Sequence, residues 1–152
     1  MNAYLLPVVT ESITSIVKDN ESHQGAYEGS VDFAVPLNTP VLAALDGIVT
    51  RVRDDSSKYG EDISFGQDVN YITIEHTGAE LSEYLHLAKS SSKVRVGQKV
   101  KQGEEIAKTG LSGWLYAPHL HFMVYNKTKS FQCLDIQFSE PLPNSPGSKP
   151  TS

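Results

Sequence analysis

Cysteine is almost missing from the 152-residue chain: Cys133 stands alone. No intramolecular disulfide can form, so packing, or packing with a bound metal, must hold the fold. Basic residues are in deficit, with 13 Lys and Arg against 18 Asp and Glu and a formal net charge of -5. That deficit argues against a nucleic-acid partner, because phosphates need cations to neutralise them. No apolar run approaches the ~20 residues that span a bilayer as a helix. The opening run, Met1 to Asn20, has neither the cationic nor the sustained apolar region of a secretory signal. The CxxC pair, the P-loop, the dinucleotide glycine fingerprint and the GxSxG elbow are also absent, which removes several common motif-borne chemistries.

The residues present are those of a globular chain of one-domain length, 39% hydrophobic and 20% charged. Their dominant period is two, with Val, Ile, Thr and Tyr in short runs broken by Gly, Pro, Asn and Asp, which predicts an all-β domain with few or no helices. The expected strands are 13–18, 31–35, 41–45, 48–53, 69–76, 81–87, 94–101, 106–108, 119–125 and 131–138. Asp46-Gly47 predicts a tight hairpin over 41–53, Thr77-Gly78 a second over 69–87, and residues 126–130 a turn for the last pair. Residues 54–68 read as one long polar loop, a candidate cleft wall or lid. The domain is expected over 1–138. The stretch 139–152 holds four of the eight prolines and no apolar face, the composition of a disordered tail.

Chemistry concentrates in the histidines. Pro118-His119-Leu120-His121-Phe122-Met123-Val124 alternates so that His119 and His121 share one face while Leu120, Phe122 and Val124 share the other. Imidazole binds metal and shuttles protons near neutral pH, so the pair can supply one group of each kind, and spacing does not say which is which. Tyr84-Leu85-His86-Leu87 alternates too, placing Tyr84 and His86 on one face and making His86 a candidate third imidazole. Asp32, between Val31 and Phe33, marks a strand whose alternate side chains leave the core, and His23 lies in a polar segment upstream. Two His and one carboxylate form a workable catalytic zinc set with a fourth position for water.

The ordered series His23, Asp32-Phe33, Thr39-Pro40-Val41, Asp46-Gly47-Ile48-Val49, Tyr71-Ile72-Thr73-Ile74-Glu75-His76, Tyr84-Leu85-His86-Leu87, Val96 to Gly103 and Pro118-His119-Leu120-His121-Phe122 resembles the lysostaphin-like, LytM-type zinc endopeptidases of bacterial cell-wall peptides. The resemblance covers roughly residues 20–125 and rests on the order of several motifs. It implies an antiparallel β-sandwich or barrel-like domain of the duplicated-hybrid-motif type with a substrate groove. It further implies one zinc per chain held by His23, Asp32 and His121, and His86 and His119 as catalytic residues around a zinc-activated water. Peptidoglycan stems or cross-bridges would be the substrates, and the place of action extracytoplasmic; with no visible signal, a cytoplasmic site stays open. His76 falls in a motif of the family without being a ligand and is read as structural. Trp114 and Tyr116, just ahead of the His pair, are candidate substrate-groove residues.

The chain departs from the family pattern at Glu28, four residues before Asp32, where the first ligand His usually stands. Either His23 reaches the metal through a longer loop, or Glu28 replaces it, or the domain is a non-catalytic LytM-like binding module. The retention of His86, His119 and His121 favours the first. Leu37-Asn38 stands where a Gly is usual, and Asn tolerates the left-handed conformation such a turn needs. The Val96 to Ile106 run also resembles the turn of lipoyl carriers and sugar phosphotransferase components. The carriers' Met-Lys pair is absent, and histidine phosphotransfer leaves Asp32 and His23 without a role.

Overall fold

Side-chain alternation builds a large sheet with one apolar and one polar-centred face. The computed structural model describes residues 1–18, 25–129 and 132–143. In chain order the strands are β1 (Ala3–Tyr4), β2 (Ser15–Val17), β3 (Val31–Ala34), β4 (Pro40–Leu42), β5 (Gly47–Arg53), β6 (Tyr59–Gly60), β7 (Tyr71–Glu75), β8 (Glu80–Leu85), β9 (Lys99–Val100), β10 (Glu105–Lys108), β11 (Gly113–Trp114), β12 (His119–Asn126) and β13 (Gln137–Phe138). Among the described residues the only helices are short 3-10 turns.

Seven strands form one antiparallel sheet in the order β2-β3-β12-β8-β7-β5-β9. Its apolar face carries Val31, Phe33, Ile72, Ile74, Tyr84, Leu120, Phe122 and Val124, all fully buried. Val41, Ile106 and Ala107, from the antiparallel pair β4 and β10, join the same core with Tyr4, Leu6 and Val8 from the N-terminal segment. The parallel pair β1 and β13 closes that layer, with the Phe138 ring 6.1 Å from both Phe33 and Phe122. A β-sandwich results, and the opposite face of the large sheet is left to Asp32, His119 and His121.

The predicted Asp46-Gly47 hairpin does not form: β4 pairs with β10, while β5 pairs with β7 and β9. The dipeptide instead carries the chain from the small sheet to the large one. Asp46 Oδ1 accepts from Gln102 N at 2.7 Å, and a Cβ on Gly47 would collide with the Glu75 carbonyl. Crowding, rather than turn geometry, requires glycine there. The 69–87 hairpin does form, turning at Gly78 and Ala79 with φ of 76° and 63°. Asn38, with φ 63°, takes the left-handed conformation expected of it.

Strand character over 94–101 is confined to Lys99–Val100, and over the described part of 131–138 to Gln137–Phe138. Residues 130–131, part of the last expected turn and strand, lie outside the described residues, as do 144–152 of the expected tail. The 54–68 segment is more ordered than a loop. It holds β6 and a 3-10 turn, Ile63–Asp68, capped by Asp62 through Ser64 N, and β6 pairs in parallel with β11.

Candidate functional site

The β12 register decides the site. His121 stands opposite Asp32 on β3 and opposite Leu85 on β8, while His119 stands opposite Ala34, one pleat away on the same face. Asp32 and His121 are both buried, and His121 Nδ1 lies 2.8 Å from Asp32 Oδ1. The other carboxylate oxygen, Oδ2, is 3.6 Å from His119 Nε2, which is too far for a hydrogen bond. His119 gives its Nδ1–H to the Ala117 carbonyl at 2.8 Å. With Nδ1 as the donor, the Nε2 lone pair faces a carboxylate oxygen across the 3.6 Å gap.

His86 reaches this cluster by an unexpected route. Alternation predicts that it shares a face with Tyr84, yet Tyr84 is fully buried in the core, where its hydroxyl accepts from Ala44 N at 2.9 Å. Strand β8 ends at Leu85, and His86 takes a left-handed φ of 71°. That break reverses the alternation and sets the His86 ring 4.5 Å from His119 and 6.2 Å from His121, centroid to centroid. The ring's Nδ1 donates to the Ser112 carbonyl at 2.7 Å. Burial pushes its pKa down to about 3, and the neighbouring His119 and His121 push the same way. The ring is thus neutral across the ordinary pH range.

The donor set suits zinc, which takes imidazole nitrogen and carboxylate oxygen. Asp32 and His121 provide two converging donors, whereas a catalytic zinc takes three protein ligands. Among the described residues no group of three or more His, Cys, Asp or Glu is set out to hold a metal ion. His23, the expected third ligand, lies outside the described residues, and the alternative, Glu28, is exposed.

His76 is the structural residue its motif suggested, with Nδ1 2.7 Å from the Asp46 carbonyl and Nε2 2.7 Å from Ser82 Oγ. Trp114 and Tyr116 stand edge to face at 6.4 Å, with Tyr116 exposed, and the Trp114 indole donates to the Glu61 carbonyl at 3.0 Å. The 54–68 segment is thereby tied to the stretch that leads into His119. Asn70 and Ser112, both fully buried beside His86, have no counterpart in the sequence reading. The available signal was the polar Asn70 at the head of an apolar strand.

The family model described as Peptidase family M23 matches residues 26–133. The peptidoglycan DD-endopeptidase ShyB of Vibrio cholerae is 36% identical over 147 residues, covering 93% of this chain and 32% of that protein. The crystal structure of a zinc-containing peptidase from Vibrio cholerae is 32% identical with a TM-score of 0.64, covering 91% of this chain and 40% of that one. The catalytic domain of the antimicrobial peptidase lysostaphin from Staphylococcus simulans is 26% identical with a TM-score of 0.57, covering 82% of this chain and 84% of that one. The chain spans 29%, 20% and 32% of the lengths of three curated relatives that it matches.

Proposed function

The chain belongs to peptidase family M23, and from that premise we propose that it is a zinc-dependent endopeptidase cutting peptide bonds in bacterial peptidoglycan. The observation that carries the reading is the convergence of Asp32 Oδ1 and His121 Nδ1 at 2.8 Å beside two further imidazoles. One zinc per chain would be held by His23, Asp32 and His121. When bound, it would supply Lewis acidity toward a scissile carbonyl and lower the pKa of water at the site. His86 and His119 are the catalytic pair. Each gives its Nδ1–H to a main-chain carbonyl and so keeps an Nε2 lone pair. That lone pair orients the attacking water and takes up its proton only as negative charge develops on the substrate beside it, a charge that offsets the burial keeping the resting His86 ring neutral. Trp114 and Tyr116 form one wall of the substrate groove.

Relatives such as ShyB, whose name specifies peptidoglycan, support this substrate class. Action on a wall substrate would lie outside the cytoplasm. Residues 1–138 would act as a single peptidase domain.

The test is zinc content per chain by atomic emission for the parent, His121→Ala and His23→Ala, followed by digestion of purified peptidoglycan. About one zinc in the parent, lost in both variants, with chelator-sensitive digestion, is the expected result. Zinc lost only in His121→Ala moves the first ligand away from His23, with Glu28 the first candidate. No zinc in the parent after zinc is supplied overturns the peptidase reading.

A further inference from the structure

His86 sits in a closed ring of hydrogen bonds that involves no expected metal ligand. Asn70, fully buried at the entry to β7, uses every polar atom it has. Its carbonyl accepts from His86 N at 3.0 Å and Leu87 N at 3.3 Å, which holds the chain through the left-handed turn at His86. Its side-chain Nδ2 donates to the carbonyls of Leu87 and Ser56, and its Oδ1 accepts from Ser56 N. Its own N–H donates to Ser112 Oγ at 3.0 Å, and that hydroxyl donates onward to the Leu87 carbonyl at 2.9 Å. The Ser112 carbonyl, on the same residue, takes the His86 Nδ1 proton at 2.7 Å. Gly110 N closes the far side by donating to the His86 carbonyl at 3.0 Å.

We infer that Asn70 and Ser112 are positioning residues for His86, holding it as the Nδ1–H tautomer whose bare Nε2 is the nitrogen available for proton transfer. A carbonyl can only accept, so a ring nitrogen 2.7 Å from one carries the hydrogen, and the neutral imidazole then has its lone pair on the other nitrogen. The Ser112 carbonyl belongs to the main chain, so it is steered by whatever fixes Ser112 itself. Its direction is set by the Ser112 hydroxyl, clamped between Asn70 N and the Leu87 carbonyl. A left-handed residue that is not glycine persists only where its surroundings over-determine it, and Asn70 O, Nδ2 and N supply that constraint from one residue. The same side chain grips Ser56, so the 54–68 wall and His86 share one anchor. The catalytic weight of the inference rests on the function proposed above; the tautomer does not.

The experiment records ring 15N–1H correlations of His86 in histidine-labelled protein, metal-free and with zinc alone added, for the parent, Ser112→Ala and Ser112→Thr. Digestion of purified peptidoglycan is followed in parallel for KM and kcat. The expected parent is the Nδ1–H tautomer. Ser112→Ala should give a mixed or reversed tautomer with zinc content unchanged, and a kcat about 10- to 100-fold lower at similar KM, the range for lost outer-shell support. Ser112→Thr, which restores the hydroxyl, should recover both. An Nε2–H tautomer in the parent overturns the inference even if Ser112→Ala fails to fold, and so does an unchanged tautomer in folded Ser112→Ala. A parent that binds zinc but digests no peptidoglycan defeats the proposed function, while the tautomer still decides the positioning role.

Discussion

Asp32 and His121 meet as directly opposed residues of two antiparallel strands, with Oδ1 and Nδ1 2.8 Å apart at a buried point on the polar-centred face of the sheet. Strand pairing, rather than a flexible loop, sets this separation. Asp32→Asn keeps the shape and removes the charge. Zinc affinity, measured by competition with a chromogenic chelator, should fall by more than the roughly 100-fold that losing an outer-shell partner alone can cost. Unchanged affinity would remove Asp32 from the ligand set.

Zinc should also report on stability. A ligand that binds only the native state stabilises it by about 4 kcal/mol at a thousandfold excess over its Kd. Adding chelator to the parent should therefore lower Tm, and the same addition to His121→Ala should leave Tm where it is. Equal shifts in both proteins would separate the metal from this site.

His76 gives a pH dependence away from the proposed metal. Burial holds its pKa below the ordinary imidazole value, so the unfolded chain takes up a proton that the native ring refuses. Its stabilising contribution is complete above the ordinary value, about 6.5, and is lost as pH falls from there toward the lowered native one. In metal-free protein taken from about pH 7.5 to about pH 5, across the imidazole range, the parent's Tm should fall more than that of His76→Gln. Parallel curves would show that His76 does not titrate with folding.

Phe122 tests the core under the site. It is fully buried between the rings of Tyr84 and Phe138, directly after His121. Phe122→Ala should cost about 3–5 kcal/mol in urea denaturation. A cost below about 1 kcal/mol would mean the core closes over the missing ring.

Trp114 tests the wall. Trp114→Phe keeps an aromatic face but removes the indole donor to the Glu61 carbonyl. Amides of residues 59–68 should exchange faster with solvent, and KM for peptidoglycan should rise more than kcat falls. Unchanged exchange would mean that the β6–β11 pairing alone holds the segment.

The sequence was most informative where one face of a strand is apolar. Leu120, Phe122 and Val124 declared the orientation of β12, and with it the shared face of His119 and His121. His86 was expected beside the other imidazoles and lies there, but its shared face with Tyr84 was misread, because a left-handed φ reverses alternation and leaves no mark in residue type when the residue is not glycine. Asp46-Gly47 was misread for a related reason: glycine serves both turns and close backbone approach, and only the Glu75 carbonyl across the sheet distinguishes them. Strands β1, β6 and β11, two residues each, are too short to show a period. The Asn70 bracket depends on segments far apart in sequence, which local pattern does not register.

The pairing of β3 with β12 also sets an order of events in folding. Asp32 and His121 are 89 residues apart along the chain, so the loop between them must close before the two donors can meet. Loop closure of that length is entropically costly and is won back only when the intervening strands have formed, which makes such contacts late and slow. A nascent or partly folded chain in which β3 and β12 have not paired therefore presents an incomplete, weaker ligand set. Acquisition of high-affinity zinc binding should coincide with completion of the sheet, which would keep the proposed hydrolytic activity silent until folding is finished.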